Sequence, residues 1–132
     1  MPKLYYASPR DLPLIEPHPG VKGRVVQAEH ATLVLYDYAP KTVVETHKHE
    51  VEEFGVVVKG SLVMVIAGEQ RILMPGDSFR IPAKTAHGAR VFEDATQVVD
   101  VYAPPRTDLG RPGPGAARPI DSSAAQHKDR EE

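Results

Sequence analysis

The sequence predicts an all-β domain, a sandwich or barrel of short strands, and three observations predict it. Thirteen prolines and ten glycines are spread through 132 residues, close enough together to interrupt long helices. Between them lie short runs rich in valine, isoleucine and tyrosine, residues that pack well on a pleated surface. Where a pattern is visible it has period two, as in Asp77-Ser78-Phe79-Arg80-Ile81, and no run keeps the 3.6-residue spacing of an amphipathic helix.

Taken in order, residues 1–22 carry several prolines with Leu12, Leu14 and Ile15 and read as an extended arm lying against the barrel or a neighbour. Strands are expected over residues 24–29 and 31–38, on either side of an apparent tight turn at His30. A strand over 42–48 leads into a pair of histidines. Residues 53–59, 61–67, 70–74 and 77–81 are joined by Lys59-Gly60, Ala67-Gly68-Glu69 and Pro75-Gly76-Asp77, and each junction offers a glycine that takes positive φ without a Cβ clash. Residues 87–92 begin after a proline-led loop, and 97–102 complete nine strands. The run 61–67 is apolar on both faces, as expected for a strand covered by a second sheet or by a partner chain, so a homodimer is expected. Residues 23–106 form the barrel. Residues 107–132 are small, Pro/Gly-rich and charged, too poor in large apolar groups to offset the entropy of ordering, and read as a disordered tail.

Composition narrows the function. Hydrophobic residues make up 41% of the chain, but no apolar stretch reaches the ~18 residues of a membrane span, and MPKLYYASPR lacks the apolar core of a secretory signal. The expectation is a soluble, cytoplasmic protein. A net charge of -2 with both signs interspersed gives phosphates no basic face, so neither nucleic acid nor a membrane is an expected partner. The chain has no cysteine, and any metal must be held by His, Asp or Glu.

The stretch ETHKHEVEEFGVVVKG, residues 45–60, carries the chemistry. On a strand His47 and His49 share a face with Cα atoms about 6.6 Å apart, close enough for both imidazoles to reach one ion. Glu53 has the same parity but lies about 20 Å from His47 on a straight strand. It joins them only if the chain turns at residues 50–52 and returns on the neighbouring strand. His87, at the start of an apolar strand, is the candidate fourth ligand. Three imidazoles and a carboxylate suit Fe, Mn, Ni, Co or Zn, with positions left for water or substrate. The competing reading makes HKHEVEE a solvated turn and His87 a surface residue. His18, His30 and His127 read as surface residues.

These residues resemble the cupin superfamily, whose first motif is G(X)5HXH(X)3,4E(X)6G. His47, His49, Glu53 and Gly60 match it, with Lys41 in place of the leading glycine. Gly76, Pro82 and His87 match the second motif, G(X)5PXG(X)2H(X)3N, with Lys84 and Val91 replacing its second glycine and its asparagine. The resemblance implies a double-stranded β-helix, the small jelly-roll barrel, with a divalent transition metal on His47, His49, Glu53 and His87. GVKGRVV, PGDSFRIPAKTAHGARV and VVDVYAPPRTDL are further similar to the pectin-degradation cupins of the KdgF type. That family converts unsaturated uronates into linear ketonised sugars, and it usually carries Gln where Glu53 stands and Phe where Tyr102 stands.

Val98, Asp100 and Tyr102 share a strand face. If that face lines the barrel, Asp100 is placed to move a proton and Tyr102 to face the metal. Arg106 offers a planar fork for a sugar carboxylate. The alternatives are a plain salt bridge between Asp100 and Arg106, packing for Tyr102, a wall role for Tyr36 and Tyr38, and a surface or strand-pairing role for Arg24. The leading functional expectation is a metal-dependent isomerase or lyase-type enzyme acting on a small carboxylated sugar. An Fe(II) dioxygenase and a non-catalytic, small-molecule-binding sensory cupin are the alternatives.

Overall fold

A computed structural model describes residues 5–109 and the backbone of residues 118 and 119. Apart from a 3-10 turn at Pro9–Asp11, every regular element among them is a strand. The strands are β1 (Leu14–His18), β2 (Val21–Gln27), β3 (Thr32–Tyr38), β4 (Val43–His47), β5 (Glu52–Lys59), β6 (Leu62–Ile66), β7 (Glu69–Leu73), β8 (Ser78–Ile81), β9 (His87–Val91), β10 (Thr96–Ala103) and β11 (Arg118–Pro119). All nine expected runs are strands, with ends displaced by a few residues. None of the helices among the described residues is long and apolar enough to cross a membrane.

Every pairing is antiparallel. One sheet runs β11-β1-β2-β3-β10-β5-β8 and the other β4-β9-β6-β7, so strands distant in sequence, such as β3 with β10 and β4 with β9, lie side by side. This is the two-sheet jelly roll. Alternation along β3 sends Thr32, Val34, Tyr36 and Tyr38 inward, where they meet Ile15, Val25, Val57, Leu62, Ile81 and Val98. Full burial of each such aliphatic side chain contributes about 1.5–3 kcal/mol. The β6–β7 hairpin turns on Ala67 and Gly68, both at positive φ (51° and 81°), the primed geometry whose twist matches that of the strands.

Three differences from the sequence reading have physical reasons. From Leu14 the expected arm is a strand of the larger sheet, because Ile15 is fully buried in the core and β2 supplies its ladder partners. The doubly apolar strand β6 needs no partner chain to bury its second face: Leu62 and Met64 join the core, and Val63 is also buried within the single chain. Of the expected tail, Leu109 is buried and β11 pairs with β1, while residues 110–117 and 120–132 lie outside the described residues.

Gly55 in β5 sits where its two neighbours in the sheet, β10 and β8, leave no room for a side chain. A Cβ there would strike the Val99 carbonyl oxygen, Asp100 Oδ1 at 2.6 Å and the Phe79 ring at 2.8 Å. Backbone cannot retreat as a flexible side chain can, so Gly55→Ala should destabilise the fold by about 1–3 kcal/mol. Urea denaturation checks this, and an unchanged midpoint would refute the close-packing argument.

Candidate metal centre

Four elements bring the site together. His47 ends β4 and lies directly opposite His87, the first residue of β9. The ladder slips by one residue between Val44 and His47. Val44 packs into the core, and a regular strand would turn a residue three positions later to the other face, so the bulge is what turns His47 inward. Gly88 makes room for it: a Cβ there would sit 2.8 Å from the Val44 carbonyl oxygen. His49 follows in the connection, and Glu53 lies near the start of β5. The chain does turn after His49, but it does not return on a neighbouring strand. β4 and β5 belong to different sheets, so Glu53 reaches the histidines from the opposite wall.

The three imidazoles are oriented by the backbone. His47 Nδ1 lies 2.8 Å from the Glu45 carbonyl oxygen, His49 Nδ1 2.9 Å from that of Val51, and His87 Nδ1 2.8 Å from that of Thr85. A carbonyl oxygen only accepts, so each Nδ1 carries a hydrogen and donates it. In the neutral ring the Nε2 lone pair is then left facing the centre. One ligand atom from each of the three histidines lies within 4.8 Å of the others.

Glu53 lies against this cluster. Its Oε1 is 3.0 Å from His49 Nε2 and 3.4 Å from His87 Nε2, and His87 Nε2 is buried without a hydrogen-bond partner. Two acceptors 3.0 Å apart repel unless a proton or a cation lies between them. The donor set of three imidazole nitrogens and one carboxylate oxygen fits a divalent transition metal.

The charges are arranged around that carboxylate. Burial pushes Glu53 up, but the hydrogen bond with Asp100, and a proton shared with His49 and His87, outweigh it and hold its pKa well below the usual carboxylate range. Asp100 moves the other way: burial, the charge of Glu53 and their shared hydrogen bond all raise it. Asp100 therefore carries the proton of the pair. Burial lowers His47, partly offset by its bond to the Glu45 carbonyl. On His87 burial is outweighed by Glu53 and the Thr85 carbonyl, and the pKa rises.

Strand β10 lines the barrel with Val98, Asp100 and Tyr102, all buried. Arg106 is held over the Tyr102 ring, 5.1 Å from its centroid, and binds Asp108 through Nε at 3.1 Å and Nη2 at 2.5 Å. The salt bridge weighed between Asp100 and Arg106 is not formed, because each has another partner. Thr32 Oγ1 accepts the Arg106 backbone N–H at 2.9 Å, and Gln27 donates to the Arg106 carbonyl at 2.8 Å, which fixes the arginine at the strand end. The Tyr36 and Tyr102 hydroxyls lie 2.7 Å apart. Arg24 is buried, not on the surface, and donates to the Leu12 carbonyl at 3.2 Å.

These groups enclose a cavity of about 40 Å³ lined by His47, Glu53, His87, Asp100, Tyr102 and Arg106. A larger concavity of about 890 Å³, bordered by Lys22, Arg24, Asp37 and Gln97, contains no comparable set of ligands. The sequence reading missed His18, which lines the small cavity with its ring 4.6 Å from that of His47. Burial first, then His47, lowers its pKa to about 4. His30 is exposed as expected, and His127 lies outside the described residues.

Added Ni²⁺ or Co²⁺ should raise the melting temperature of metal-stripped protein and leave His49→Ala unmoved. A ligand at a hundred times its Kd stabilises by about 2.7 kcal/mol, easily seen by differential scanning fluorimetry. An equal shift in both proteins would sink the assignment of the ion to this cluster.

The cupin domain family matches residues 34–102. The pectin degradation protein KdgF of Dickeya dadantii is 28% identical over 92 residues, which are 68% of this chain and 84% of that protein. The solved structure of KdgF from Halomonas sp. superposes with a TM-score of 0.72 at 29% identity, covering 80% of this chain and 98% of the other. An RmlC-like cupin from Shewanella frigidimarina has the same fold, with a TM-score of 0.73 at 20% identity over 80% of this chain and 96% of its own. With its double-sheet jelly roll, the HxH and remote histidine brought together inside it, and just over half its length matched by the domain, the chain belongs to the cupin family.

Proposed function

We propose that this cupin is a metal-dependent isomerase that ketonises an unsaturated uronate or a closely similar carboxylated sugar. One observation carries the reading: a buried carboxyl group that keeps its proton, Asp100, lines the same cavity as convergent imidazoles and an arginine. The likeness to two KdgF proteins supports the substrate class.

The reaction is redox-neutral. The bond from the anomeric carbon to the ring oxygen breaks, the anomeric hydroxyl loses its proton to leave an aldehyde, and one proton is added to the double-bond carbon that does not carry the ring oxygen, which leaves a ketone at the other. Arg106 binds the substrate carboxylate, and its backbone anchors and its stacking on Tyr102 hold the guanidinium in place. Asp100 delivers its proton to carbon, and the proton released from the anomeric hydroxyl restores it over the cycle. Tyr36 and Tyr102 stay protonated because burial raises both. Only one of their two hydrogens is used between them, which leaves the other to donate to a substrate oxygen. His47, His49, Glu53 and His87 would hold the ion, which when bound supplies Lewis-acid polarisation of a substrate oxygen.

The homodimer expected from the sequence is proposed on a different face. The outer side of the larger sheet exposes Val26, Phe54 and Val58, and light scattering giving twice the chain mass would support it.

Consumption of a 4,5-unsaturated galacturonate, followed by loss of its conjugated ultraviolet absorbance, should proceed equally in aerobic and oxygen-free buffer. Asp100→Asn should keep its metal and lose about 10²–10⁴-fold in kcat. Arg106→Ala should act chiefly on KM, raising it about tenfold or more. Oxygen uptake during turnover would favour the dioxygenase alternative, and a full rate in Asp100→Asn would rule out the proton role.

A further inference from the structure

Strand β1 is irregular where it approaches the site. Ile15 pairs with Gly23 and His18 with Val21, so β1 holds one more residue than β2 over this interval. Directly opposed residues share a face, and both Gly23 and Val21 are buried on the core side. Ile15 and His18 are three positions apart, and in a regular strand they would point to opposite faces. The bulge at residues 16 and 17 brings both inward. Pro17 suits this position because it has no N–H to contribute to the ladder.

The consequence is an imidazole at the cavity wall, half-buried, beside His47 and across from Arg106. It is not one of the three convergent histidines. Among the described residues its ring nitrogens have no hydrogen-bond partner, in contrast to His47, His49 and His87, whose Nδ1 atoms all bond to carbonyl oxygens. The bulge therefore turns an imidazole with no hydrogen-bond partner among the described residues toward the cavity.

We propose that His18 is a substrate-binding residue that hydrogen-bonds a ring hydroxyl or carbonyl oxygen of the sugar acid whose carboxylate Arg106 holds. It adds a second point of recognition, selecting hydroxylated sugar acids over plain carboxylates. This rests on the uronate reading above.

The test is calorimetric binding of galacturonate, a saturated uronate that is not turned over, to the metal-loaded protein, with metal per chain measured by elemental analysis. His18→Ala should keep the wild-type metal content and melting temperature and bind galacturonate about tenfold more weakly, the effect of one lost hydrogen bond. Its affinity for cyclohexanecarboxylate, which has no hydroxyls, should be unchanged, and His18→Asn should recover part of the loss. Equal galacturonate binding by wild type and His18→Ala, with Arg106→Ala weakened, would overturn the role of His18 and leave the uronate reading standing. Loss of metal in His18→Ala would also overturn it, by making His18 a support of the metal centre. Failure of the wild type to bind galacturonate would overturn the uronate reading and this proposal with it.

Discussion

The site depends on one contact between like partners, the Glu53 carboxylate facing the Nε2 atoms of His49 and His87 at 3.0 and 3.4 Å. With each Nδ1 hydrogen committed to a carbonyl, the neutral rings present lone pairs to an anion in a largely buried site, where electrostatic interactions are stronger than in bulk water. Such an arrangement persists only if positive charge is supplied. A bound cation supplies it in full, and a proton on a ring does so in part. The three carbonyl contacts come from within two residues of each ring, so local backbone sets the tautomers and the long-range fold only has to bring the rings together.

Bringing them together takes defects in regular structure. Both β1 and β4 carry a one-residue bulge immediately before a histidine, and each converts an outward position into an inward one. Two glycines accommodate crowding around the site: Gly88 lets the bulged part of β4 lie against β9, and Gly55 leaves room in β5 for the Asp100 carboxyl beside it. These positions lack side chains because backbone or a functional group occupies the space. The jelly roll supplies two walls that face each other, and the irregularities at their rims aim the chemistry between them.

This division explains what the sequence made legible. Period-two alternation and turn glycines are local signals, and they located nine strands. The HxH pair, Glu53 and His87 were recognisable as a group because their spacing suits ligands of one ion, and the fold does bring them together. His18 was not, since a lone histidine between two prolines looks like a surface residue, and only the pairing of β1 with β2 exposes the bulge that turns it inward. The route to Glu53 was misjudged for a related reason: strand parity describes one strand, while the chain crosses between sheets after His49. Arg106 was read as a fork for a substrate carboxylate, with Asp100 as the alternative partner, and the sequence reading did not consider Asp108, which the guanidinium binds. That pairing depends on Thr32 and Gln27 fixing the arginine backbone from a distant strand pair.

Glu53, where the KdgF-type pattern usually has glutamine, changes the charge of the centre. A glutamine would be a neutral ligand and would leave Asp100 as the only acid beside the histidines. A glutamate places two carboxyl groups in one buried site, where both cannot ionise at once. The hydrogen bond from Asp100 and the positive charge shared with His49 and His87 stabilise the charge on Glu53, and Asp100 retains the proton. Asp100 Oδ1 has no hydrogen-bond partner, so the protonated carboxyl is not locked into a closed network. The same carboxylate that lies against the three-histidine cluster therefore keeps a proton on the neighbouring carboxyl, so the charge at the cluster and the protonation of Asp100 are linked through a single side chain.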